Sequence, residues 1–206
     1  ADKYGNVISQ TQTIRNWWGS GVVIPGRGFI MNNAMADFSA KAGVRTTQGL
    51  AYGMANAIRP GKTPLSSMSP TIVMKDGKPV LSVGAAGGPR IITSTLQLII
   101  NNLDYGMMMD SAVKHPHMCC LTLNQGLELE EGFSPDTIKL LAAKGHIIKN
   151  TTDFGELLVM PNGIRNIDGT FFPGGTSRVD GGGGALTASG TMAIDGLCFI
   201  DEKLTK

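Results

Sequence analysis

Residues 64–70 read Pro-Leu-Ser-Ser-Met-Ser-Pro, and this short stretch, together with the hairpin and the motif that follow it, is the part of the chain most informative about function. Two adjacent serines, Ser66 and Ser67, lie between prolines, which restrict the backbone and place the hydroxyls and nearby N–H groups in a fixed turn. Such a turn suits the binding of a carboxylate group. The same residue types are also typical of an ordinary surface loop, so the neighbouring motifs must distinguish the two interpretations.

A second motif follows at residues 84–90, which read Gly-Ala-Ala-Gly-Gly-Pro-Arg. Gly87 and Gly88 have no Cβ atom, so a ligand can approach their backbone closely. Between the two motifs, residues 71–83 are predicted to form a β-hairpin around the sequence Lys75-Asp-Gly-Lys78. Together the motifs suit a site that binds a carboxylate and stabilises an oxyanion.

The composition is that of a globular domain with a hydrophobic core, because 42% of the 206 residues are hydrophobic and 17% are charged. The net charge is +2, and the basic residues are scattered, so we expect no nucleic-acid partner. No apolar run is long enough for a membrane span, and no signal-peptide pattern is present. The missing signal is uninformative if this chain is the C-terminal half of a cleaved precursor. We expect a cytoplasmic location, with a periplasmic or secreted one as the alternative.

The segment 115–120, His-Pro-His-Met-Cys-Cys, gathers possible metal ligands within six positions. Thiolates and imidazoles would suit zinc or copper, but their spacing matches no closed zinc pattern. Adjacent cysteines such as Cys119 and Cys120 rarely pair with each other, and the third cysteine is Cys198. We therefore predict no metal site and no disulfide framework, and interpret the segment as half-buried loop cysteines beside exposed histidines.

The hydrophobic pattern predicts an α+β fold. Ser134 is expected to cap a helix that has Pro135 at its first position and closes at Gly145. Residues 90–104 are expected to form a mostly apolar helix whose side chains pack against a sheet, namely Ile91, Ile92, Leu96, Leu98, Ile99 and Leu103. Further strands are predicted at residues 6–14, 146–149, 156–160 and 170–173.

From Ala1 to about Gly184, the chain resembles the small, catalytic subunit of the γ-glutamyltransferase family. The matching residues follow one order along most of the chain, so chance is not a serious explanation. They are Gly5-Asn6, Ser9, Thr11, Thr13-Ile14, Gly19-Ser20-Gly21, Asn32-Asn33, Met35, Asp37-Phe38-Ser39, residues 64–73, Lys75-Asp-Gly-Lys78, Gly87-Gly88, Arg90-Ile-Ile-Thr93 and Gly132-Phe-Ser-Pro-Asp-Thr137.

The resemblance implies the αββα sandwich of the N-terminal-nucleophile hydrolases, completed by a large subunit outside this chain. It assigns residues 1–184 to the catalytic small-subunit domain of a precursor that cleaves itself. Residues 185–206 would form a C-terminal extension. An obligate large subunit from the same precursor and a dimer of such heterodimers are the expected assembly, and no cofactor is implied.

The implied mechanism is attack by an N-terminal threonine, with its own α-amine as the base. We expect this threonine upstream of Ala1 and assign no threonine of the chain in its place. Thr13 matches a position where the family keeps a hydroxyl that tunes the nucleophile, although an ordinary strand threonine would look the same. Gly87 and Gly88 match the oxyanion-stabilising residues.

The implied substrate-binding residues are Arg15, Asp37, Ser66 and Ser67. In γ-glutamyl enzymes, a cluster of acceptors binds the α-ammonium of glutamate, and here only Asp37 survives. Arg15 replaces an Asn or Glu, and Ala34 replaces a polar side chain. A guanidinium would repel an ammonium and attract a carboxylate, unless Arg15 instead pairs with Asp37 in a structural role.

Three functions therefore remain open. The first is an amidohydrolase or acylase that cleaves an amide of a small, carboxylate-bearing acyl group. The second is a true γ-glutamyl hydrolase or transpeptidase of glutathione metabolism, acting on glutathione-like donors. The third is an inactive binding or scaffold subunit. The departures at Arg15 and Ala34 favour the first.

Overall fold

The computed structural model describes residues 1–2, 4–44, 52–122, 126–150, 159–178, 183–186 and 192–195. The chain divides into two compact units. The smaller unit comprises residues 12–67, and the larger unit comprises residues 1–11 and 68–206. Each unit is described by itself.

The larger unit contains the regular secondary structure. Its helices are α1 (Ile91–Leu103), α2 (Met109–Lys114) and α3 (Pro135–Ala143). Its strands are β1 (Thr71–Lys75), β2 (Lys78–Ala86), β3 (Met118–Cys119), β4 (Leu127–Leu129), β5 (Ile148–Asn150), β6 (Met160–Ile167), β7 (Thr170–Gly174), β8 (Gly183–Leu186) and β9 (Met192–Asp195). This mixture of helices and strands confirms the α+β prediction.

The main sheet has the strand order β1-β2-β6-β7, and all its neighbouring strands are antiparallel. The predicted hairpin is confirmed, because Lys75 pairs with Lys78 across a two-residue turn. Asp76 and Gly77 have φ angles of 51° and 74°, which a primed hairpin turn requires and which an Asp-Gly pair adopts readily. The hairpin thereby places the Gly87-Gly88 motif directly after β2.

The core lies between the main sheet and the helices α1 and α2. Leu81 and Val83 of β2 pack with Leu98 of α1 and with Met109 and Val113 of α2. The helix predicted over residues 90–104 is confirmed as α1, but the predicted apolar packing is only partly formed, because Ile92, Leu96 and Leu103 are exposed. Because α1 begins three residues after Gly88, its packing on the sheet also positions that glycine pair.

Two glycines allow α2 to approach the main sheet closely. Gly163 of β6 and Gly174 of β7 are cross-strand partners beneath the fully buried Met109. A Cβ atom at Gly163 would lie 2.7 Å from the Met109 sulfur, and one at Gly174 would lie 2.7 Å from the Met109 carbonyl carbon. The atoms that a Cβ at Gly163 would meet belong to the side chains of Met109 and Val83, which can rotate, whereas a Cβ at Gly174 would meet the backbone of α2. Gly174 is therefore the position at which the close approach requires glycine.

We predict that Gly174→Ala destabilises the complete protein by about 1–3 kcal/mol, because the backbone of Met109 must move away from the sheet. Gly84→Ala is the matched control in β2, since its nearest non-neighbouring atom would lie 3.6 Å away. Thermal or denaturant unfolding measures both variants. Equal stabilities of the two variants would contradict the close-approach argument.

A smaller sheet in the larger unit has the order β3-β4-β5, in which β4 and β5 are parallel. Helix α3 contacts β5 and begins as predicted, since Ser134 Oγ accepts a hydrogen bond of 3.1 Å from the Thr137 N–H. Gly145, with φ of 91°, follows the end of α3. β8 and β9 form an antiparallel pair. The predicted domain boundary between residues 184 and 185 lies within β8, and it stays a prediction.

The strand predicted over residues 6–14 is wrong, because none of these residues belongs to a described strand. Hydroxyl groups make the long-range contacts instead: Ser9 Oγ donates to the Val83 carbonyl at 3.0 Å, and Ser82 Oγ donates to the Ile8 carbonyl at 3.2 Å. The alternating pattern therefore marks an extended segment without a backbone ladder. Most of the strand predicted at residues 156–160 lies outside the described residues, whereas those near 146–149 and 170–173 are confirmed as β5 and β7.

The smaller unit consists largely of turns. Two short 3₁₀ segments, Ala34–Asp37 and Met54–Asn56, are its helical elements among the described residues. Only Phe38 and Ser39 are buried in the described part of this unit. Hydrogen bonds between side chains and backbone therefore carry much of its organisation.

Candidate active site

Arg15 and Asp37 form an ion pair in the smaller unit. Arg15 Nε donates to Asp37 Oδ1 at 2.7 Å, and both side chains are partly shielded from solvent. The two terminal nitrogens of Arg15 donate to the Asn16 side-chain oxygen at 3.1 Å and to the Ala36 carbonyl at 3.2 Å. Of the two roles that the sequence left open for Arg15, the structure thus shows the pairing with Asp37.

Thr13 positions the backbone of Arg15. Its Oγ1 accepts a hydrogen bond of 2.8 Å from the Arg15 N–H. Arg15 has a φ angle of 77°, a left-handed conformation that is unfavourable for a long side chain unless its surroundings stabilise it. The role of Thr13 in tuning a nucleophile stays a prediction, and the observed contact gives this hydroxyl a positioning function.

Asn56 connects the Asp37 segment to the serine turn, and sequence reasoning missed it. Its side-chain N–H donates to the Asp37 carbonyl at 2.7 Å, while its side-chain oxygen accepts from the Leu65 N–H at 3.0 Å. Leu65 immediately precedes Ser66 and Ser67, so one amide side chain joins the two parts of the proposed substrate site. No local sequence signal distinguishes Asn56 from a surface asparagine.

Tyr52 is a second residue that sequence reasoning missed. Partial burial raises the pKa of its phenol, and the negative charge of Asp37 acts in the same direction, against the positive charge of Arg15. The phenol therefore stays neutral at physiological pH and can donate a hydrogen bond near the ion pair.

The remaining proposed site residues are divided between the two units. Ser66 is exposed and Ser67 is half-buried, in the smaller unit. Gly87 and Gly88, in the larger unit, have φ angles of 144° and 59°, so both adopt backbone conformations that favour glycine. Their roles in carboxylate binding and oxyanion stabilisation stay predictions.

Arg90 anchors the beginning of α1 through a bidentate pair with Glu128 of β4. The two hydrogen bonds measure 2.7 and 2.9 Å, and Lys149 approaches the same carboxylate at 3.5 Å. Hydrogen bonding to Arg90 lowers the pKa of Glu128, which therefore remains charged. The pair fixes the helix that follows the Gly87-Gly88 motif.

A second arginine–carboxylate pair of the larger unit joins Arg178 to Glu130. The buried Arg178 contacts Glu130 through two nitrogens, and it also donates to the carbonyls of Val113 and His115 at 2.6 and 3.0 Å. Glu130 in turn accepts a hydrogen bond of 2.8 Å from the His117 N–H. This network attaches residue 178 to the segment that follows α2.

The histidine and cysteine segment does not present its side chains as predicted. His117 is only 2% exposed, whereas His115 is exposed, so the expectation of exposed histidines is wrong for His117. Cys119 is buried and Cys120 is exposed, because successive side chains of an extended segment point in opposite directions, and both are free thiols. Within the described residues, no three His, Cys, Asp or Glu side chains lie together as metal ligands.

Only one of the two ring nitrogens of His117 has a hydrogen-bond partner in the described structure. Its Nδ1 lies 3.2 Å from Ser94 Oγ, while its Nε2 has no hydrogen-bond partner in the described structure. Burial lowers the pKa of His117 to about 3, and the positive charge of Arg178 acts in the same direction. The imidazole is therefore neutral in the folded protein throughout the physiological range.

We predict that His117 makes stability depend on pH. The unfolded chain binds a proton on this residue below its ordinary pKa of about 6.5, whereas the folded protein does so only near 3. Stability should therefore fall between pH 6.5 and 3, on the order of 1 kcal/mol per pH unit. His117→Gln should flatten this dependence in unfolding measurements, whereas His146→Gln, at an exposed histidine, should not. Equal slopes in both variants would exclude His117 as the origin.

Residues 1–182 match the sequence profile of gamma-glutamyltranspeptidase. The chain belongs to the γ-glutamyltranspeptidase family. It is 47% identical, over 165 residues, to the glutathione hydrolase proenzyme of Escherichia coli K12, an alignment that covers 79% of this chain and 28% of that protein. It is 36% identical, over 201 residues, to the acylase ACY 1 proenzyme of Pseudomonas sp. SE83, covering 97% of this chain and 33% of that protein.

The structure agrees with this membership. A mutant γ-glutamyltranspeptidase from Helicobacter pylori superposes with a TM-score of 0.80 at 40% identity, covering 87% of this chain and 97% of the other. The predicted N-terminal-nucleophile hydrolase fold of the γ-glutamyltranspeptidase family is thereby confirmed. The chain nevertheless spans less than a third of the length of the first curated relatives. No helix in the described part of the chain has the length and apolar character needed to cross a membrane.

Proposed function

We propose that this chain is the small-subunit part of an amide hydrolase or acyltransferase that acts on amides of small, carboxylate-bearing acyl groups. In the family's reaction, a threonine hydroxyl attacks the amide carbonyl and passes its proton to the threonine's own α-amine. The amine product leaves with that proton, and water or an acceptor amine then releases the acyl group. The residues of this chain would bind the acyl group and stabilise the oxyanion.

The Arg15–Asp37 ion pair is the observation that favours an acyl group without an α-ammonium over a γ-glutamyl group. Asp37 matches the residue that binds the α-ammonium of glutamate, but here its charge is compensated by a guanidinium at 2.7 Å. An ammonium bound to Asp37 would lie beside the guanidinium of Arg15, which repels it and already neutralises the carboxylate. For scale, a hydrogen bond to a charged group contributes about 1.5–3 kcal/mol. A substrate without an α-ammonium leaves the pair intact, so the observed geometry favours an acylase over a γ-glutamyl enzyme.

The names of the relatives support both an acylase and a γ-glutamyl enzyme as candidates. Proteins named acylase ACY 1 proenzyme align with nearly the whole chain. A true γ-glutamyl hydrolase or transpeptidase is the second candidate, since Asp37 is retained and the relative from Escherichia coli is named a glutathione hydrolase. An inactive binding or scaffold subunit is the third.

The decisive experiment compares two substrates that differ only in the α-amino group, glutaryl p-nitroanilide and γ-glutamyl p-nitroanilide. We predict that the matured complete enzyme has the higher kcat/KM for the glutaryl substrate. Arg15→Asn frees Asp37 for an ammonium, so it should shift the ratio of the two kcat/KM values toward the γ-glutamyl substrate by about 10- to 100-fold. The ratio is insensitive to differences in the fraction of active enzyme.

Arg27→Asn is the matched control, because Arg27 is an exposed arginine of the same unit. A wild-type preference for the γ-glutamyl substrate that Arg15→Asn leaves unchanged would favour the γ-glutamyl candidate. Turnover of neither substrate by the matured enzyme would favour the scaffold candidate.

The names of the relatives also support a partner. Both the glutathione hydrolases and the acylases are named proenzymes. We propose that a large subunit from the same precursor accompanies this chain, and that two such heterodimers associate. Size-exclusion chromatography of the matured precursor tests both steps, and a lone small subunit that melts cooperatively as a monomer would contradict the first.

A further inference from the structure

Helix α1 carries no charged residue along its entire length, Ile91–Leu103. One side of the helix is buried against the larger unit, where Ile91, Leu98 and Asn102 are almost inaccessible to solvent. Three of the six apolar residues that the sequence predicted to pack lie on this buried side. The other three are exposed to solvent on the outer side of the helix.

The outer side of α1 presents an apolar stripe made of Ile92, Leu96 and Leu103, which are 55%, 54% and 45% exposed. At 100° per residue, these three positions fall within about 40° of each other around the helix axis. Gln97, beside the stripe, directs both ends of its amide to backbone groups of Thr93 and Met118. The amide therefore adds no free polar group to this surface.

Helix α3 shows how the same chain builds a helix that faces solvent. Asp136 and Lys139 form an exposed ion pair on α3, and both side chains are largely accessible. An exposed helix of a soluble protein ordinarily carries such charges on its outer face. The absence of any charge from α1 indicates that its outer stripe is covered in the assembled protein.

We propose that the stripe Ile92–Leu96–Leu103 is a docking surface for an apolar segment of the large subunit derived from the same precursor. The relatives that share this chain's sequence are about three times as long as the matched region, so most of the precursor is available to cover the stripe. The inference rests on the proposed function only in requiring that a large subunit exists. It is independent of the acyl group and of catalytic activity.

Photo-crosslinking in the complete precursor tests the contact directly. With p-benzoylphenylalanine at position 96, irradiation of the matured enzyme should join this chain to the large subunit, and mass spectrometry identifies the peptide. The same amino acid at position 139 on α3 is the control and should give no such product. Cross-links only to a second copy of this chain, only to residues 196–206 of this chain, or to nothing would each overturn the proposal.

A substitution pair provides a second readout. Leu96→Glu places a charge in the stripe and should reduce the large subunit that co-purifies with a tagged small subunit by at least about tenfold. Leu140→Glu is the matched control, because Leu140 on α3 is 64% exposed and lies outside the stripe. Equal retention of the large subunit in both variants would overturn the proposal. Activity with the two anilide substrates is measured on the same wild-type sample, so an error in the proposed acyl group is recognised separately.

Discussion

The close approach of α2 to the main sheet is the constraint on which the larger unit depends. Met109 is fully buried above the facing pair Gly163 and Gly174, and a side chain at Gly174 would meet the backbone of α2 and displace the helix. Because protein interiors are densely packed, a shift of α2 would be transmitted to α1 through the shared core. Helix α1 in turn follows the Gly87-Gly88 motif, so the packing of one methionine affects the geometry of a proposed catalytic element.

Arginine–carboxylate pairs organise the regions that hydrophobic packing does not. Arg90 pairs with Glu128, Arg178 pairs with Glu130, and Arg15 pairs with Asp37. The first two connect segments within the larger unit and are largely shielded from solvent, where leaving one partner uncompensated is costly. The third lies in the proposed substrate site of the smaller unit, so the same interaction there affects specificity.

Apolar residues on the two faces of α1 differ in their exposure to solvent. The sequence pattern treats Leu96 and Leu98 alike, because both are leucines in an uncharged helix. In the described structure Leu98 is fully buried in the core of the larger unit, whereas Leu96 is 54% exposed. The apolar residues of a helix sequence therefore do not by themselves show which of them are buried.

The features that depend on neighbouring residues were predictable from the sequence alone. The Asp-Gly turn, the Ser134 cap, the α1 helix and the family motifs all follow from local backbone preferences or short ordered patterns. Other features became apparent only in the folded chain. Arg15 pairs with Asp37 across 22 positions, and Asn56 joins Asp37 to the serine turn. His117 is buried, and residues 6–14 form no strand. These outcomes depend on which distant groups meet and exclude water, and local propensity contains no information about such encounters.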